Sequence, residues 1–281
     1  MRGRAVALLA LGLATSAAQA QEPILLRRLA TGALTHYRTE MDTWMRTALL
    51  ASADTTLPTV HVTMFTTGSV VSADSGMLVT AIGIDSSRIE MPGVRAFAPQ
   101  LMPSGDYLRG LRTVTRSDSL GRTLATRVTE APPLPGNLPA LIRGVQSLAL
   151  TSIRLTMFTL PQERVLPGDT WTDSLSYTLT ADQAVAPSLV AGGGRSVASF
   201  RLERVESRGG SQVAVIASTA DIKAAAETPG ASATLLITAT AQFDFDVTAG
   251  LLVSARMDFS GPLATRMGII PTRVHLTQRT Q

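Results

Sequence analysis

The sequence predicts a mainly β protein: a curved antiparallel sheet or half-open β-barrel, made of two similar halves with one helix packed across it. Three observations carry that expectation. Val, Leu, Ala and Thr are abundant while aromatic residues make up only 4% of the chain, a composition that suits sheets with one buried face. Apolar and polar residues alternate over long runs, most clearly at 235–247. There Leu235, Ile237, Ala239, Ala241, Phe243, Phe245 and Val247 share one side, and Thr238, Thr240, Gln242, Asp244 and Asp246 share the other. Turn residues punctuate the runs at Asp74-Ser75-Gly76, Gly121, Pro167-Gly168, Gly209-Gly210 and Gly250.

Residues 1–20 read as a signal peptide. Arg2 and Arg4 precede an apolar run from Ala5 to Ala14, and Ala18-Gln19-Ala20 has the A-x-A form of a cleavage site. That run is too short to span a bilayer, and no later one reaches the roughly 18 apolar residues of a spanning helix. No transmembrane anchor is therefore expected in the mature chain from Gln21. The chain has no cysteine, which removes a lipid-anchor motif, a disulfide framework and a thiolate metal site together. The expected location is periplasmic or secreted. The remaining length of about 260 residues suits one large β domain or two smaller ones sharing a core.

Without Arg2 and Arg4 there are 23 basic residues against 21 acidic ones. The sequence pI of 10.3 reflects arginine standing in for lysine, since Lys223 is the single lysine. Arginines alternate with acids along the chain instead of clustering, so the electrostatic footprint of a nucleic-acid binder is missing.

The first half, 21–159, opens with residues 24–32, a short helix or a leading strand. Tyr37, Met41 and Met45 then oppose Arg38, Glu40 and Asp42 in the first strand. Val60, Val62 and Met64 alternate with His61 and Thr63, and the turn at Ala73–Gly76 leads into a strand over 77–85. Residues 91–105 read as a loop. Strands over 108–116 and 122–128 flank the connection at 117–121. Asn137 is a candidate N-cap for a helix over 138–150, where Leu138, Leu141, Ile142, Val145, Leu148 and Ala149 fall on one face. Ile153, Leu155 and Met157 return to strand period.

The second half, 160–281, shares one core with the first and starts at Leu160-Pro161. Pro167 and Gly168 suit the central positions of a type II turn, so Gly168 is expected at positive φ. Trp171, one of two tryptophans, leads the next strand and anchors the core of this half. A hairpin over 197–206 and 212–220 matches the one at 60–85. Leu235–Val247 and Leu251–Phe259 form the next pair, and the last strand covers 273–279. Asp118-x-x-Gly121 and Asp246-x-x-x-Gly250 occupy corresponding turns, which suggests an internal duplication.

Catalytic constellations are missing from the sequence. It holds no G-x-S-x-G, S-x-x-K or H-E-x-x-H motif. His36, His61 and His275 are scattered, and a metal site would need the fold to bring them together. Asp244 and Asp246 share a strand face and could pair as acid and base or hold calcium, but alternation accounts for them as a solvated face. Gly192-Gly193-Gly194 lacks the strand before it and the Gly-Lys-Ser/Thr after it that a phosphate loop requires, and reads as a mobile loop. No cofactor and no enzymatic activity are expected.

Leu160-Pro161, Val165, Pro167-Gly168-Asp169 and Trp171, followed by Phe243-Asp244-Phe245-Asp246 and Gly250-Leu251-Leu252, resemble the pattern of a family of uncharacterised exported bacterial proteins. Its mark is an LP-x-x-x-V-x-x-GD-x-W segment with a late phenylalanine–aspartate strand end. Such proteins are distantly similar to the half-open β-barrels of periplasmic lipoprotein carriers and lipid-binding envelope proteins. The resemblance brings no catalytic residues. It implies a curved sheet holding an apolar ligand beneath helices.

A sheet with one continuous apolar face and a single helix exposes more apolar surface than that helix covers. The expected function is binding of an apolar small molecule or lipid, with Leu235, Ile237, Ala239, Ala241, Phe243 and Phe245 as the wall. The alternative is a structural or protein-interaction module of the envelope, with a filled core.

Overall fold

The computed structural model describes residues 22–28, 32, 34–45, 56–74, 76–90, 92, 106, 108–130, 159–179, 192–228, 231–265 and 268–281. The expected signal peptide, the loop at 91–105, the helix over 138–150 and the strand period at 153–157 fall outside them, apart from the single position 92.

The described residues form one antiparallel sheet. Its strands are β1 (Thr35–Met45), β2 (Val60–Asp74), β3 (Met77–Glu90), β4 (Arg112–Asp118), β5 (Thr123–Glu130), β6 (Thr170–Leu179), β7 (Gly192–Arg208), β8 (Ser211–Thr228), β9 (Ala231–Asp246), β10 (Leu251–Thr265) and β11 (Gly268–Thr280). They lie in the order β5-β4-β3-β2-β1-β11-β10-β9-β8-β7-β6. Each strand pairs with its neighbour in sequence except at one place. β1 pairs with β11, while β5 and β6 are the two edges of the sheet among the described residues. This is an up-and-down barrel with one open seam. An even number of antiparallel steps separates β5 from β6, so the two edges run in the same direction. Ladder closure there would need a parallel pair, unlike every other pair in the sheet.

The seam is bridged at the end where the turns after β2, β4, β7 and β9 lie. Ile24 and Val165 form an isolated antiparallel bridge. Leu160 N donates to Leu120 O at 2.8 Å, and Arg28 N donates to Ser119 O at 3.0 Å. Leu26, Leu160 and Val165 join the core. The described residues 24–28 are thus neither helix nor paired strand beyond Ile24; they serve as closing chain. Burial lowers the pKa of the half-buried Arg28 guanidinium, an effect opposed by nearby Tyr37 and Asp118.

Burial follows the alternation. β2 turns Val60, Val62 and Met64 inward, β9 turns Ile237, Ala239, Phe243 and Phe245 inward, and β10 turns Ala255, Met257 and Phe259 inward. One cluster spans both halves. The turn at 166–169 forms as expected: Asp169 N donates to Leu166 O at 3.0 Å, and Gly168 has φ +99°. Trp171 stacks on Phe200 with ring centroids 5.5 Å apart.

Three expectations are corrected. Strand β4 starts at Arg112 and not at 108, because Gly110 at φ +82° turns the chain and donates to Ile84 O at 2.9 Å. Gly192–Gly194 is strand and not loop. These residues pair with Thr178, Leu179 and Tyr177 on one side and with Ala224–Ala226 on the other, so two ladders outweigh the poor strand propensity of glycine. The inward face is also not uniformly apolar, since on β4 it consists of Thr113, Thr115 and Ser117, all buried.

Candidate functional site

A cavity of about 80 Å³ lies between the inner wall of β7–β10 and the start of β5. Its origin is a coincidence of register. Ala198 on β7 pairs with Ala220 on β8, and Ala220 pairs with Ala239 on β9. Three methyl groups therefore sit side by side. The next row continues the gap with Ser218 opposite Ala241. Phe200, Ile222, Phe243, Met257 and Phe259 border the space.

The other side of the cavity is polar. Arg122, Thr123, Thr159 and Asp173 line it at the seam. Thr159 Oγ1 donates to Asp173 Oδ2 at 2.7 Å, and Trp171 Nε1 donates to the Thr159 carbonyl at 2.7 Å. Arg122 Nε stands 3.7 Å from Asp173 Oδ1, and it is buried without a hydrogen-bond partner.

Of the six wall residues expected from sequence, Ala239, Ala241 and Phe243 line the cavity. Ile237 and Phe245 are buried in the core beside it, and the side chain of Leu235 lies outside the described residues. Ala198, Ala220, Arg122, Thr159 and Asp173 went unrecognised. The alternation of β7 and β8 placed Ala198 and Ala220 on an inner face, but no sequence signal set them against Ala239.

The remaining candidates have separate engagements. His61 Nδ1 lies 2.7 Å from Asp42 Oδ1, His275 Nδ1 lies 2.9 Å from Asp258 Oδ1, and His36 Nδ1 lies 2.9 Å from Thr67 Oγ1. Register places both His61 and His275 opposite Asp42. No group of three metal-ligating side chains is assembled among the described residues. Asp244 is not on a solvated face: it is 8% exposed, with Oδ2 accepting from Arg208 at 2.8 Å and from Ser254 at 3.0 Å. The Arg208 side chain covers that part of the outer face. Asp246 instead caps its turn, with Oδ1 accepting from Thr248 N and Ala249 N at 2.8 Å each. The two carboxylates therefore do not act as a pair.

Fold and cavity define the class: a half-open up-and-down β-barrel with its apolar face inward. Outward positions such as Arg38, Glu40, Asp42, Arg256, Asp258 and Arg279 carry charge, where a membrane-spanning barrel carries an apolar band. No helix among the described residues is long and apolar enough to cross a membrane. Neither a family model nor a curated protein sequence matches the chain. Among solved structures, a mutant of the Rh. blastica porin aligns at 10% identity over 89% of this chain and 99% of its own, with a TM-score of 0.23. P47 from Clostridium botulinum A2 aligns at 6% identity over 91% and 82%, with a TM-score of 0.21. P47 of Clostridium botulinum E1 aligns at 6% over 84% and 82%, with a TM-score of 0.19. Scores this low carry no argument about function.

Proposed function

We propose that this is an exported, non-enzymatic protein of the cell envelope, periplasmic or secreted, that holds an apolar ligand such as a lipid or acyl chain against the inner wall of β7–β10. The observation that supports this reading is the cavity left by Ala198, Ala220 and Ala239. Its modest volume of about 80 Å³ favours a second reading, a structural or protein-interaction module whose core is largely filled. We also propose an internal duplication. Each half starts with a single strand followed by two hairpins, β2–β3 and β4–β5 against β7–β8 and β9–β10, and the hairpin turns all lie at one end.

The double variant Ala239→Phe with Ala241→Phe distinguishes the two functional readings when thermal midpoint and uptake of an apolar fluorescent probe are measured together. A ligand cavity accepts the added volume and loses probe binding. A filled core overpacks, at a cost of about 1–3 kcal/mol per site. A large fall in midpoint, with wild type showing no saturable probe binding, sinks the ligand reading.

A further inference from the structure

Resting on the apolar-ligand reading, we propose that the ligand is a short-chain amphiphile with an anionic head, a carboxylate or a phosphate, bound by Arg122 at the seam. The cavity has two chemistries, with alanine, phenylalanine and methionine from β7–β10 on one side and Arg122, Thr159 and Asp173 on the other. That division matches a molecule with a tail and a head. The polar side lies at the start of β5 and β6, the two edges of the sheet among the described residues.

Among the described residues Arg122 has no full partner. Its Nε is buried and makes no hydrogen bond, and the 3.7 Å separation from Asp173 exceeds hydrogen-bonding distance. The two groups are kept apart by their own supports. Arg122 N donates to Asp118 Oδ1 at 2.9 Å, which ties it to the β4–β5 turn. Asp173 Oδ2 is engaged by Thr159 Oγ1 at 2.7 Å, and the Thr159 carbonyl is in turn fixed by Trp171. An ion pair of this kind, partly exposed and too long for a hydrogen bond, is weak. An incoming oxyanion can offer the guanidinium fork the in-plane acceptors that Asp173 does not reach. The cavity size limits the tail. About 80 Å³ exceeds the roughly 10–15 Å³ that holds a water but falls short of the roughly 300–1,000 Å³ of sites that engulf drug-sized ligands.

Isothermal titration of the purified protein with octanoate, octyl phosphate and 1-octanol tests this. Wild type should bind one or both anions about tenfold or more tighter than octanol, as expected for a hydrogen bond to a charged group. The preferred anion identifies the head. Arg122→Gln should erase the margin without changing octanol affinity, and Arg122→Lys should retain part of it. Asp173→Asn, which removes the competing carboxylate, should tighten anion binding. Equal affinity of wild type for octanol and both anions, or unchanged anion affinity in Arg122→Gln, overturns the anionic head and leaves the apolar-ligand reading in place. Failure of all three probes to bind overturns both. Should Arg122→Gln not fold, Asp173→Asn decides, and no tightening there overturns the proposal.

Discussion

Strands β4 and β9 occupy corresponding places, each the first strand of the second hairpin in its half and each ending in an aspartate, Asp118 or Asp246, that caps the following turn. Their inward residues differ. Counting back from the aspartate, β4 presents Ser117, Thr115 and Thr113, whereas β9 presents Phe245, Phe243 and Ala241. Among the described residues, every buried hydroxyl within a strand belongs to β1–β4. The comparison shows that alternation decides which positions face inward but not the chemistry found there. One wall is an apolar surface with a gap. The other sets buried hydroxyls among its aliphatic side chains, such as Val62, Met64 and Ile84, and two of them, Thr43 Oγ1 and Thr113 Oγ1, are buried with no partner among the described residues.

The largest expected effect separates the walls by backbone spacing. A Cβ on Gly261 in β10 would overlap the Leu236 carbonyl, whose carbon would be only 2.9 Å away. Gly261→Ala should cost about 3 kcal/mol, since backbone cannot yield as a side chain can. In the first wall a Cβ on Gly83 meets nothing closer than Arg112 Cγ at 3.8 Å. Gly83→Ala should be neutral or stabilise by about 0.5 kcal/mol. Denaturant melts of both variants check the contrast, and equal losses would remove it.

Next is the lead into the second wall, where Gly168 N donates to Leu202 O at 2.7 Å from a φ of +99°. Gly168→Val should destabilise by about 2 kcal/mol, because a β-branched residue is strained at that φ. A midpoint like that of wild type would show that the turn does not set the start of β6. The aspartate caps then test how alike the halves are. Asp118 Oδ1 accepts from Leu120 N and Arg122 N at 2.9 Å each, the counterpart of the pair at Asp246. Asp118→Ala and Asp246→Ala should each cost about 1.5 kcal/mol. A difference well beyond that would mean the turns are alike in outline only.

The last effect, like that of Gly83→Ala, is stabilising. Thr113→Val replaces a buried, unpartnered hydroxyl with a methyl of similar size, and should stabilise by about 1 kcal/mol. A loss on chemical denaturation would show that the hydroxyl has a partner, such as water, in solution.

Alternation made most strands legible, since period two is imposed locally by the pleat. The positive φ of Gly168 was equally legible, because proline followed by glycine admits few turns. Legibility ended where neighbouring strands had to be known. Gly192–Gly194 has no strand character of its own and became strand through hydrogen bonds from β6 and β8. The burial of Asp244 depended on Arg208, a residue 36 positions away.

The sequence by itself determined the mainly β class, the faces of most strands, the turn at Pro167-Gly168 and the small residues within the β9 row. Each of these depends on residues a few positions apart, and so on local sterics and periodicity. Only the tertiary structure decided that Ala198, Ala220 and Ala239 fall into one row, that the ladder is interrupted between β5 and β6, and that Arg122 faces Asp173 across that seam. Register between strands is set by the packing of the whole wall and the reach of its turns, so a cavity made of coincident small residues exists only once the strands are side by side.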